Sequence, residues 1–66
     1  MKYNVQPSTV GEVKNYVEEL NNFGIRSEVK IERFKEDEKS RVRSVIITDK
    51  EIPKDVINEN IIRGLV

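Results

Sequence analysis

The chain contains no cysteine, no histidine and no tryptophan. It therefore cannot form a disulfide, and it lacks the usual ligands of a structural zinc ion. Histidine is also the common general base near neutral pH, and cysteine a common nucleophile. The three glycines, Gly11, Gly24 and Gly64, lie too far apart for a phosphate-binding loop. These absences argue against an enzyme, and we expect no cofactor and no bound metal.

The chain also has a net charge of zero, because its 66 residues include 12 basic and 12 acidic side chains. A general nucleic-acid-binding protein is usually strongly basic. No stretch approaches the roughly 18 apolar residues of a transmembrane helix. The N-terminal MKYNVQ lacks the apolar run of a signal peptide. We expect one cytoplasmic domain over residues 1–66, with no membrane partner and no evident small-molecule substrate.

Leucine is scarce, with two residues against eight isoleucines and nine valines, and this β-branched bias favours strands. MKYNVQ indicates a short first strand that ends at Pro7. Thr9 and Glu12 have the spacing of a capping box at the start of a helix, and Gly24 is its expected left-handed end. Tyr16 lies at the margin of the helix's apolar stripe, and we expect its hydroxyl in water. The stripe consists of Val10, Val13, Val17 and Leu20.

Residues 25–35 and 40–48 predict a β-hairpin, because apolar and polar side chains alternate along most of both segments. EDEK forms the polar turn between them. Pairing Lys35 with Ser40 brings apolar and oppositely charged residues together across the strands. The resulting pairs are Val29 with Ile46, Ile31 with Ser44, and Glu32 with Arg43.

The C-terminal EIPKDVINENIIRGLV permits two interpretations. Pro53 suits the first turn of a helix over about 53–62. Asn58 and Asn60 are poor helix formers, so NIIRGLV is alternatively a last edge strand. We expect the helix, and hence the order β-α-β-β-α, with a final strand as the open alternative.

The right-handed crossover rule is satisfied most simply if the third strand lies between the first and second. This arrangement is a two-layer α+β fold, ferredoxin-like or truncated ferredoxin-like. Its sheet is rich in antiparallel pairs, and its helices cover one face. The other face of the sheet is then open.

Three consecutive apolar residues, 45–47, interrupt the alternation of the third strand. With Ile46 turned toward the helices, its two neighbours lie on the open face. Either long side chains such as Lys30 cover them, or a partner protein or second copy does. We therefore expect a small non-catalytic protein-interaction or regulatory module that self-associates or binds a partner through this face. The residues expected to make the contact are Val45, Ile47, Phe34 and Arg43.

A single-stranded nucleic acid is the alternative partner for the same face, with Phe34 stacking on a base. The cations expected to hold its phosphates are Arg41, Arg43 and Lys30. Against this alternative, the aromatic RNA-recognition motif is absent, and Glu28 and Glu32 are placed to pair with these cations.

Two groups of acidic residues are candidates for a catalytic acid–base pair and for a cation site, and the support for each is weak. Asp55 and Glu59 are spaced to share a helix face, but act as acid and base only in a cleft that raises one pKa. Residues 36–38 are all acidic but lack the ligand spacing of a calcium loop. Solvated surface is the favoured interpretation of both groups.

Overall fold

A computed structural model describes residues 1–6 and 10–65, without the side chain of Val10. The elements are β1 (Lys2–Val5), α1 (Val10–Asn22), β2 (Ser27–Glu36), β3 (Lys39–Thr48) and β4 (Ile62–Leu65). The strands form one antiparallel sheet in the order β2-β3-β1-β4, so β3 lies between β1 and β2 as predicted. The protein is a small α+β domain with one helix in the described residues.

The β2–β3 hairpin confirms the predicted register, which includes Val29 opposite Ile46 and Glu32 opposite Arg43. Its turn is shorter than the predicted four residues, because pairing continues to the last residue of β2 and the first of β3. The two loop residues, Asp37 and Glu38, have φ of 51° and 65°. Two successive positive φ angles are the requirement of a type I′ turn, whose twist matches that of the strands it joins.

Helix α1 ends as predicted at Gly24, which has φ of 88°. The N–H of Ile25 donates to the carbonyl of Leu20, and the N–H of Gly24 donates to the carbonyl of Asn21, both at 3.0 Å. This pair of bonds is the Schellman arrangement, and it satisfies carbonyls that the last helical turn leaves free. The buried Leu20 and Ile25 provide the apolar contact that usually accompanies it.

The apolar stripe of α1 faces the sheet. Its members with described side chains are buried or half-buried: Val13, Val17 and Leu20. Two predictions about the chain before the helix, Pro7 as the end of the first strand and Thr9 as part of a capping box, lie outside the described residues.

The helix predicted for residues 53–62 is wrong. The carbonyl of Pro53 accepts two N–H groups, at 2.9 and 3.0 Å, but the chain then continues through further turns. The Oδ1 of Asn58 accepts the N–H of Asn60 at 3.0 Å, a local bond that competes with helix formation. The order β-α-β-β-α is therefore not matched. The alternative edge strand is confirmed as β4.

Two buried tyrosines hold this turn segment against the sheet and the helix. The hydroxyl of Tyr16 donates to the carbonyl of Val56 at 3.0 Å and accepts the N–H of Asn58 at 3.1 Å. The hydroxyl of Tyr3 accepts the N–H of Ile52 at 2.9 Å. A chain segment without regular structure needs such partners for its backbone groups. The expectation that the Tyr16 hydroxyl lies in water is therefore wrong.

The core occupies one end of an elongated molecule of 40 × 21 × 17 Å. β2 pairs with β3 along all ten residues of each strand, but β1 pairs with β3 only at residues 45–47. Residues 31–44 therefore extend past β1 as a two-stranded projecting hairpin. The core residues are Tyr3, Val5, Val13, Tyr16, Leu20, Ile25, Ile46, Ile52, Ile61 and Ile62.

Candidate interaction surfaces of the sheet

The face of the sheet opposite α1, here called the outer face, carries every residue predicted to bind a partner or nucleic acid. Alternation along the strands and the observed register determine this placement. These residues are Lys30, Phe34, Arg41, Arg43, Val45 and Ile47.

Val45 lies on the outer face but is 0% exposed. In the register, Lys2 lies opposite Ile47 and Glu32 lies opposite Arg43, two residues to either side of Val45. The Nζ of Lys2 and the Oε2 of Glu32 are 2.6 Å apart, so this ion pair crosses β3 above Val45. Long side chains of the same chain therefore cover Val45, among them Lys2 and Glu32. A partner reaches Val45 only if this pair separates.

Glu32 is the electrostatic centre of the outer face. The hydrogen bond from Lys2 holds the pKa of Glu32 below its ordinary value, and the positive charges of Lys2 and Arg43 act in the same direction. The Nη2 of Arg43 is 3.5 Å from the Oε1 of Glu32. The Oε1 of Glu32 and the Nε of Arg43 are shielded from solvent without a hydrogen-bond partner in the described residues. The guanidinium of Arg43 also lies 5.2 Å from the ring centroid of Phe34, within cation–π distance.

The other predicted cations of this face also have acidic neighbours. Lys30 lies 3.7 Å from Glu28, and Arg41 lies 3.7 Å from Glu36. All four of these side chains are more than half exposed, so each pair is weak in water. The pairing still lowers the net positive potential that the face offers to a phosphate chain.

A cleft of about 1050 Å³ lies where the projecting hairpin leaves β1 and β4. It brings together Phe34, Arg41 and Arg43, three of the four residues predicted for nucleic acid, but Lys30 is not in its lining. It adds Arg63 of β4, which the sequence did not single out. Arg63 has no partner in the β1 register, because the pairing of β1 with β4 shifts between Asn4 and Val5. No local pattern in the sequence reveals that irregularity.

A second surface lies on the face of the sheet that bears α1, and sequence reasoning missed it. Ile31, Val42 and Val29, here called the hairpin patch, are 73%, 64% and 40% exposed. They lie on the same face as the fully buried Ile46, which is opposite Val29. An apolar groove of about 550 Å³ between α1 and β2 continues from Val29 and Ile31 to Val17.

The length of the elements explains this exposure and was available in the sequence. A helix of 13 residues is about 20 Å long, whereas strands of 10 residues are about 33 Å long. One such helix cannot cover two strands of this length. The far part of the sheet therefore keeps an apolar side chain pattern without an element to bury it.

Asp55 and Glu59 are exposed, and the helix expected to place them on one face does not form. Residues 1–6 and 10–65 contain no group of three or more acidic side chains that is arranged to hold a metal ion. The same residues include no helix long and apolar enough to cross a bilayer. Comparison with protein families, with curated proteins and with solved structures found no match.

Proposed function

We propose that the chain is a small non-catalytic protein-interaction module that self-associates through the hairpin patch. The observation that carries this proposal is the exposure of Ile31 and Val42, at 73% and 64%. Single exposed apolar side chains are ordinary, but these two are diagonal neighbours in the hairpin and Ile31 borders an apolar groove. A second copy that covers them adds apolar burial to a chain whose own core is small.

The outer face is the competing surface for the same function. Ile47, Phe34 and Arg43 are half-buried there and stay accessible, whereas Val45 is covered. Charged pairs occupy most of this face, and they need water or a matched partner when they are covered. Self-association through the hairpin patch buries no such pair, which is why we place the contact there.

Mass in solution, measured by light scattering on a sizing column over a range of concentrations, tests this proposal. We expect the wild-type mass to rise with concentration toward that of a dimer. The double variant Ile31→Thr, Val42→Thr should remain monomeric, because threonine keeps the β-branched shape but adds a hydroxyl. Phe23→Ser is the matched control, since Phe23 is 69% exposed and lies outside the hairpin.

The result has clear alternatives. A wild-type protein that is monomeric at every concentration contradicts self-association. A dimer that Ile47→Lys disrupts, and the double threonine variant does not, moves the contact to the outer face. Far-ultraviolet circular dichroism should be the same for all variants. A fall in the mass measured in solution then reports loss of the contact between copies and not loss of the fold.

The fold itself carries a finer proposal, namely a ferredoxin-like sheet in which turns replace the second helix. Its support in the part of the chain that the structure describes is the strand order β2-β3-β1-β4, the antiparallel pairing of all four strands, and one helix, α1, between β1 and β2. A regulatory role and a cytoplasmic location stay predictions.

Single-stranded nucleic acid is the second candidate partner. Its support is the cleft that joins Phe34 to three arginines. Affinity for a fluorescent oligonucleotide at low salt should then fall in Arg41→Ala, Arg43→Ala, with a flatter salt dependence. Arg33→Ala is the control, because Arg33 belongs to the same hairpin but not to the cleft. Absence of binding by the wild type at low salt ends this candidate.

A further inference from the structure

We propose that the free edge of β3 accepts an extended acidic segment of a partner protein, which joins the sheet as an added strand. This inference rests on the proposed interaction function and names a partner chemistry for the backbone edge of the hairpin, which borders the hairpin patch. The edge in question runs from Ser40 to Ser44 and faces the cleft beside β1 and β4.

Backbone groups on this edge are directed into the cleft. In an antiparallel ladder, alternate residues direct their N–H and carbonyl groups to the same side. The N–H of Thr48 donates to the carbonyl of Met1 at 2.8 Å. The backbone N–H and carbonyl groups of the even-numbered residues of β3 are therefore directed toward β1. The same alternation directs the backbone groups of Val42 and Ser40 to this side, where none of the described strands pairs with them.

Directly after β1, the backbone N–H of Gln6 donates to the carbonyl of Ile61 at 2.7 Å, on the side of β4. A cleft of about 1050 Å³ is left between Ser40–Ser44 on one side and Val5 and Arg63 on the other. Strands in a sheet lie about 4.8 Å apart, so an extended peptide has its hydrogen-bonding partners along one wall of this space.

Charge selects an acidic occupant. Three arginines line the cleft, Arg41, Arg43 and Arg63, with Glu36 as the carboxylate in the lining, and Arg43 also lies 3.5 Å from Glu32 on the outer face. Glu36 is 3.7 Å from Arg41, with both side chains more than half exposed, so it neutralises the cleft only weakly. A second copy of β3 at this edge would set its own arginines beside Arg41 and Arg43, and like charges across strands are unfavourable.

The two faces of the edge also require different side chains from the occupant. On the face that bears α1, the added strand lies beside Val42, which is 64% exposed, and near Ile31. On the outer face it lies beside Arg41 and Arg43. Successive residues of a strand alternate between these faces. The matching segment therefore alternates apolar residues with aspartate or glutamate.

Two labelled peptides test the proposal directly, GEVEVEVG and its basic counterpart GKVKVKVG. Fluorescence anisotropy at low salt should show binding of the acidic peptide at least about tenfold tighter than that of the basic one. Amide exchange measured by NMR gives the location. The acidic peptide should slow exchange at Ser40 and Val42, and leave Ile31 and Arg33 unchanged, because their N–H groups lie on the opposite edge of the hairpin.

Charge reversal then identifies the recognition element. Arg41→Glu, Arg63→Glu should weaken the acidic peptide by about tenfold or more and strengthen the basic one. Arg33→Glu reverses one charge outside the cleft, and its affinities should stay within about twofold of the wild type. Circular dichroism confirms that each variant folds.

Four results would overturn the proposal. They are equal binding of both peptides, protection confined to other amides, an oligonucleotide that binds the cleft when the acidic peptide does not, and slowed exchange of both the Ser40 and Val42 amides in a dimer without peptide, which would show a second copy paired with the edge. Failure of strand addition and failure of the proposed self-association give different results. Self-association is tested by the mass in solution of the wild type and of the Ile31→Thr, Val42→Thr variant, not by peptide binding. A monomeric wild type that binds the acidic peptide at Val42 contradicts self-association and supports strand addition.

Discussion

The two ends of the β2–β3 hairpin both carry apolar side chains on the face that bears α1, but their surroundings differ. At the end near α1, Ile46 is 0% exposed beneath the helix, and Val45 is 0% exposed beneath an ion pair on the opposite face. At the projecting end, Ile31 and Val42 are mostly exposed. Apolar patterning therefore identifies the side of a sheet that suits burial, and the elements packed on it determine how far along the strands burial extends.

The largest expected effect compares two isoleucines on the same face of the sheet. Ile46→Ala should lower the free energy of unfolding by about 2–5 kcal/mol, because it leaves a cavity in the core. Ile31→Ala should change it by only about 0.5 kcal/mol in the monomer, as is usual at exposed positions. Urea denaturation at low protein concentration measures both values. Similar losses in the two variants would show that the projecting end is buried in solution.

A smaller loss in the free energy of unfolding is expected for Tyr16→Phe. Tyr16 holds the turn segment that replaces the predicted helix. The substitution leaves the part-buried carbonyl of Val56 and N–H of Asn58 without the hydroxyl as their hydrogen-bond partner, at a cost of about 1–3 kcal/mol. Urea denaturation measures the loss, and amide exchange should be faster at Asn58. Unchanged exchange there would mean that Tyr16 does not hold the segment.

Alkaline pH tests the same tyrosine in the wild type. Burial raises the pKa of Tyr16 above its ordinary value of 10.0. The neutral hydroxyl therefore stabilises the folded state below about pH 10, and this contribution is lost as pH rises through the raised pKa. The free energy of unfolding should decline more steeply above pH 10 in the wild type than in Tyr16→Phe. Parallel declines would contradict this assignment.

The smallest expected effect concerns the cover of Val45. Because the pKa of Glu32 is lowered in the folded state, its charge stabilises the fold above the ordinary pKa of 4.5. That contribution is lost as pH falls through the lowered pKa. Glu32→Gln should remove this part of the acid dependence, and Glu28→Gln, in a more exposed pair, should retain it. An identical acid dependence in Glu32→Gln and the wild type would argue against the ion pair.

Interactions between residues close in the chain were predictable. At the end of α1, the N–H groups of Gly24 and Ile25 donate to carbonyls three and five residues earlier, respectively, so the sequence of that segment suffices to specify these bonds. The register of the hairpin follows equally from alternation and a short turn, because a slip by one residue would exchange its two faces. Even Ile31 was assigned to the correct face, although its exposure was not foreseen.

Tertiary structure decided the features that depend on distant partners. Residues 53–62 have sequence features typical of a helix. The backbone of the turn segment that includes them instead forms hydrogen bonds to the hydroxyls of Tyr3 and Tyr16, about 40 or more positions earlier in the chain. The cover of Val45 likewise needs Lys2 and Glu32 to meet across three strands. The sequence by itself determined which segments become helix α1 and the hairpin, since those patterns are local. Which faces remain open was decided only when α1, the ion pair and the two tyrosines took their places, because burial depends on neighbours that no local pattern specifies.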